Sequence, residues 1–120
     1  MTPASPHPPH SRMDADEYVE AVLSLVERVP SGRVTTYGAI AEALGDRGAR
    51  SVGRVMSTFG GSVPWWRVVR SDGSLPPSHD DEARIHYLEE GTAFRPTGRV
   101  DLQRAFFDDF DIPRKPGNRR

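Results

Sequence analysis

Pro30-Ser31-Gly32, Gly45 and Gly48 cut residues 14–59 into one longer and two short segments. Proline and glycine stop helices, so no single long element can cross this region. The first segment, "DADEYVEAVLSLVERVPSG", opens with acids that suit a helix N-terminus. Val19, Val22, Leu23, Val26 and Val29 follow at the spacing of one helical stripe. "RVTTYGAIAEALG" gives a short β-prone piece, a Thr35/Thr36 cap and a helix through Ile40, Ala41 and Leu44. After the tight turn "DRG", "ARSVGRVMSTF" predicts a second short helix with Val52, Val55, Met56 and Phe59 on one face. Two short helices joined by a Gly-containing turn make a helix-turn-helix candidate.

Beyond it, "RVVRSDGSL" reads as a strand entering an Asp-Gly turn, the start of a β-hairpin. "SHDDEARIHYLEEG" is an acid-capped helix with Ile85 and Leu88 inward and Gly91 as its stop. "GRVDLQRAFFDDF" is a short strand, then a turn or helix that covers the core with Phe106, Phe107 and Phe110. The expected fold is mainly α with a small β-hairpin, a winged-helix-like domain over residues 14–112. Residues 1–13, rich in proline with His7 and His10, read as a disordered arm, and residues 113–120 as a basic tail. No apolar run approaches the ~20 residues that span a bilayer, so a soluble, intracellular monomer is expected, cytoplasmic or on the nucleoid.

The chain has no cysteine, which excludes disulfides, zinc-cysteine sites and a thiol nucleophile. Its net charge of −1 conceals segregation. From Arg28 to Arg70, seven arginines face only Glu42 and Asp46, whereas Ser71 to Pro113 carries ten acids and four bases. A basic middle is what a polyanion would meet.

Around the third helical segment, Ala49, Gly53 and Ser57 form a second stripe with almost no side chain, flanked by Arg50 and Arg54. A glycine inside an exposed helix costs about 1 kcal/mol against alanine. One reading is close packing of two protein helices. The other is close approach to a crowded surface such as the DNA minor groove, which is only about 6 Å wide. Arginines beside the bare face would then touch phosphate or enter the base stack.

"PSGRVTTYGAIAEALG", "ARSVGRVM" and "PWWRVVRSDG", in that order, resemble the DNA-binding domain of O6-alkylguanine-DNA alkyltransferases over roughly residues 18–110. Those repair proteins carry a Pro-Cys-His-Arg motif whose cysteine removes the alkyl group from a flipped-out guanine. Here the motif is Pro64-Trp65-Trp66-Arg67, with Trp65 in place of the nucleophile and Trp66 in place of the activating histidine. The chain is similar to the alkyltransferase-like, non-catalytic branch, whose members bind alkylated duplex DNA and hand the lesion to nucleotide excision repair.

The resemblance implies roles for particular residues. Tyr37 would rotate the 3′ phosphate of the target nucleotide, against an ordinary half-buried packing role. Arg50 would fill the vacancy left by the extruded base, against a solvated surface arginine. Arg54 would touch phosphate or raise the local field. Ala49, Ser51 and Gly53 would let the helix lie in the minor groove, and Ser71 would reach the DNA backbone or the pocket mouth. Pro64, Trp65, Trp66, Arg67 and Val68 would build the lesion pocket, Trp65 as its aromatic wall or as a plug for the cysteine's space. Trp66 would point inward, Arg67 would make structural hydrogen bonds, and Glu90 would do the same with no proton to relay. The family's bracing Asn is missing from "STFGGSV".

No cofactor or metal is implied. Direct alkyl transfer is chemically impossible without the cysteine, and other enzyme chemistry lacks an activated residue in the middle segment, His79 and His86 reading as surface residues. The alternatives are a winged-helix transcription regulator, a non-specific DNA binder and a protein-interaction module.

Overall fold

A computed structural model describes residues 14–45, 48–75 and 79–110 of the 120-residue chain. The expected arm and tail lie outside the described residues, as do Asp46 and Arg47 of the "DRG" turn.

Helix α1, Ala15–Arg28, begins at a capping box: Glu17 N donates to Asp14 Oδ1 at 2.8 Å, and Asp14 N to Glu17 Oε1 at 3.2 Å. Its inward stripe is Tyr18, Val22, Leu25 and Val26, continued by Val29, with Val19 and Leu23 at the margin. Strand β1, Thr35–Thr36, runs directly into α2, Tyr37–Leu44, because Thr36 Oγ1 accepts the Ala39 N–H at 3.0 Å as the cap. Gly45 ends α2 in the left-handed region at φ +70°, where glycine carries no steric penalty. Helix α3, Ala49–Phe59, packs on α2 and α1 through Val52 and Val55. The helix-turn-helix arrangement read from the punctuation is thus present. Phe59, expected inward, is 49% exposed.

The chain leaves α3 through two short 3₁₀ turns, Gly60–Ser62 and Trp65–Arg67, and enters strand β2, Val68–Val69. The expected hairpin is corrected here. Strand β2 pairs in parallel with β1, Thr35 opposite Val68 and Thr36 opposite Val69. Both strands are buried, as parallel strands usually are. The Asp-Gly turn does form, with Gly73 N donating to Arg70 O at 2.8 Å and Arg70 N to Ser74 O at 3.1 Å. The sequence then runs into Pro76 and Pro77, which have no N–H to extend a ladder. The neighbour at this turn is instead Val100, whose N–H donates to Gly73 O at 2.9 Å.

Helix α4, Asp80–Glu90, has three acids in its first turn and stops at Gly91. Its inward residues are Ala83 and Tyr87, while Ile85 and Leu88, expected inward, are 57% and 76% exposed. The Tyr87 hydroxyl donates to Trp66 O, one of several contacts that hold this side of α4 against the body. A four-residue helix α5, Leu102–Ala105, precedes Phe106, which bridges to Val34, and Phe110, which is buried against α1 and its neighbours. Among the described residues no helix is long and apolar enough to cross a membrane.

Candidate nucleic-acid interface

One side of α3 is anchored by Val52 and Val55; the other holds Ala49, Arg50, Arg54 and Ser57 in solvent. A Cβ placed on Gly53 would meet nothing within 4 Å. Close packing of another described helix of this chain therefore does not account for the glycine. The bare stripe faces outward.

Beside that stripe lies a cleft of about 710 Å³, within the range of small-molecule and cofactor pockets. Tyr37, Ala49, Arg50, Gly53, Met56, Ser57, Gly60, Gly61, Trp65, Arg70, His79 and Glu82 line it. Five of these, Tyr37, Ala49, Arg50, Gly53 and Trp65, are among the site residues that the resemblance implied, and Ser57 belongs to the bare stripe read from the sequence. Their convergence has a local cause. Tyr37 follows the last paired residue of β1 and Arg70 the last of β2, so both leave the sheet at the same register step. Helix α3 then closes the other side. Burial raises the pKa of the Tyr37 hydroxyl, and the Arg70 charge partly opposes it. The phenol is therefore neutral at ordinary pH and able to donate or accept a hydrogen bond.

Trp65 meets two neighbours in T-shaped geometry, Trp66 at 5.5 Å between centroids with planes at 86° and His86 at 6.0 Å and 84°, and His79 at a tilt, 5.5 Å and 56°. Edge-to-face geometry suits the aromatic quadrupole.

Trp66 turns the other way. It stacks on His86 at 3.6 Å with the rings 6° from parallel, and its Nε1–H donates to Glu90 Oε2 at 2.9 Å. Arg67 grips the same carboxylate through Nε to Oε1 at 3.1 Å and Nη2 to Oε2 at 2.7 Å, and gives Nη1 to Val29 O at 2.9 Å. Gly32 N adds a fourth bond to Glu90 Oε1 at 3.0 Å. Burial pushes the Glu90 carboxyl up, but the bonds from Arg67, Gly32 and Trp66 together with the Arg67 charge outweigh it, and its pKa is lowered. Glu90 is thus a charged clamp beneath the tryptophans.

Not every candidate joins the cleft. Trp66, Arg67 and Pro64 lie off its wall, and Val68 is fully buried in β2. Ser51 and Arg54 lie on α3 away from the lining, and Ser71 is exposed one residue past it. Arg70, His79 and Glu82 were not foreseen. His86, read as a surface residue, is half-buried in the Trp66 stack. His79 is exposed but belongs to the cleft, its Nδ1 3.4 Å from Glu82 Oε1. The spacing of these two residues on a helix start gave no sign of what they face. Among the described residues no grouping of three His, Cys, Asp or Glu could hold a metal ion.

Residues 17–91 match the family model described as 6-O-methylguanine DNA methyltransferase, DNA binding domain. The DNA base-flipping protein of Escherichia coli (strain K12) is 37% identical over 94 residues, 74% of this chain and 73% of that protein. A Picrophilus torridus protein named bifunctional methyltransferase/endonuclease is 36% identical over 103 residues, 82% of this chain but 35% of its own length. The crystal structure of S. pombe Atl1 in complex with damaged DNA containing O6-carboxymethylguanine superposes with a TM-score of 0.70 at 28% identity, covering 79% of this chain and 98% of that one. With residues 17–91 matching the family model and three-quarters of the chain aligned to a relative, the protein belongs to the family of the 6-O-methylguanine DNA methyltransferase DNA-binding domain.

Proposed function

We propose that this protein is a non-enzymatic sensor of O6-alkylated guanine in duplex DNA. Helix α3 enters the minor groove by its bare stripe, with Arg54 and the helix start near phosphates. Tyr37 turns the target nucleotide outward, Arg50 stacks in the vacancy, and the extruded base enters the cleft against Trp65. The observation that carries this reading is the cleft itself: Tyr37, Arg50, Gly53 and Trp65, from three separate segments, border one cavity beside an outward-facing glycine.

The energetics fit. Flipping costs a few kcal/mol, least for a base whose pairing is already damaged, and stacking on an aromatic returns about 1–3 kcal/mol. Phosphate contacts by the arginines supply affinity that does not depend on sequence. With no cysteine in the chain there is no alkyl acceptor of the family's kind. The bound lesion is therefore passed on unchanged, and nucleotide excision repair is the process that removes it.

The test compares a short duplex holding one O6-methylguanine with the same duplex holding guanine, read by tryptophan fluorescence, with Arg50→Ala alongside. A preference for the lesion, reduced in Arg50→Ala, with the duplex recovered chemically unchanged, supports the sensor. Equal and weak binding to both duplexes overturns it and leaves a regulator or a non-specific DNA binder.

A further inference from the structure

Arg70 is a cation in the cleft that the flipping steps do not use. It is exposed and lines the same cleft as Trp65 and the α3 residues Ala49, Arg50 and Gly53. Its backbone is held on both sides, by Arg70 N to Ser74 O at 3.1 Å and Gly73 N to Arg70 O at 2.8 Å, so the side chain leaves from a fixed point. Nearby acids are engaged elsewhere: Asp72 accepts Ser74 N at 2.9 Å and lies 3.7 Å from Arg99 Nη1, and Glu82 faces His79. Among the described residues Arg70 has no ion-pair partner. Its charge acts on Tyr37, which leaves the neighbouring strand at the same register step.

An exposed guanidinium without an ion-pair partner, bordering a cleft that Tyr37 and Trp65 also line, can receive a planar anion, since its fork matches a carboxylate in two parallel hydrogen bonds. Arg50 cannot do both jobs, because a guanidinium stacked in the duplex is not at the pocket wall. Glu82, on the same cleft, disfavours an anion placed against α4, which leaves the Arg70 side as the one able to receive it.

Building on the sensor reading, we propose that Arg70 makes this pocket selective for O6 substituents that end in a carboxylate, over neutral substituents of the same size.

Four duplexes test it, differing only at one base: guanine, O6-methylguanine, O6-carboxymethylguanine and its neutral isostere O6-carbamoylmethylguanine. The wild-type protein should bind the carboxymethyl duplex about tenfold more tightly than the carbamoylmethyl duplex, the scale of one good charge-assisted pair. Arg70→Gln should erase that ratio, and Arg70→Lys should keep part of it. Equal binding of the carboxymethyl and carbamoylmethyl duplexes by the wild type overturns the proposal alone. So does an Arg70→Gln variant that weakens all four duplexes equally with a shallower salt dependence, the signature of a phosphate contact. Loss of discrimination between O6-methylguanine and guanine in the wild type overturns the sensor reading and this proposal together.

Discussion

Trp66 and Glu90 are joined by an indole N–H to carboxylate bond of 2.9 Å, on the same oxygen that Arg67 Nη2 reaches at 2.7 Å. One carboxylate thereby orients two consecutive residues of the motif. Trp66 is held in its stack, and Trp65 is left as the member of the pair that faces the cleft.

Removing that carboxylate leaves the Arg67 guanidinium, 17% exposed, without its counter-charge. Glu90→Ala is expected to lower the unfolding free energy by roughly 2–4 kcal/mol, and Glu90→Gln by less, since the amide oxygen still accepts one bond. Urea unfolding of the three proteins checks this. A loss near that of an exposed ion pair, below about 0.5 kcal/mol, would show that the clamp is not structural.

The same carboxyl fixes a pH dependence. Because its folded pKa lies below the ordinary value of 4.5, the unfolded chain takes up the proton first as the solution is acidified. The stability difference between wild type and Glu90→Gln should be constant above that value and shrink as the pH falls beneath it. A difference that persists unchanged well below pH 4 (roughly half a unit under the ordinary value) contradicts the assigned charge state.

Gly53 separates folding from binding. With open space where its Cβ would be, Gly53→Ala should stabilise the fold by about 0.5–1 kcal/mol, while the added methyl on the bare stripe weakens DNA binding. Paired unfolding and duplex-binding measurements read the two signs. Unchanged affinity would mean that DNA does not approach this face.

Gly73 is the opposite case. It has φ +84°, and a Cβ there would stand 2.5 Å from Val100 O. Both the backbone conformation and a backbone atom resist the substitution, so Gly73→Ala should destabilise by more than about 2 kcal/mol. Chemical denaturation of the variant would detect it, and a neutral result would mean that the turn does not pack on Val100.

What the sequence disclosed depended on how local the cause was. Helices α1 to α3 were legible because their caps and stops are neighbours in the chain, Asp14 with Glu17 and Thr36 with Ala39. The outward stripe of α3 was legible for the same reason. Helix α4 was misread because two short stripes compete in it, Ile85 with Leu88 and Ala83 with Tyr87. The choice falls to tertiary contacts of Tyr87, His86 and Glu90 with Trp66 and Arg67, which local periodicity does not contain. Arg70 in the cleft was hidden likewise, since it follows from the parallel register of β2 on β1 rather than from any spacing near residue 70.

The Glu90 clamp also sets an order of assembly. The residues of the first three helices are all present once Phe59 has been made, whereas bonds from Gly32, Trp66 and Arg67 must wait for residue 90. During synthesis, the helix that carries the bare stripe is complete well before the aromatic wall beside it can be locked. A chain halted short of residue 90 has the helices of a DNA-binding protein and no clamp beneath the wall of the cleft.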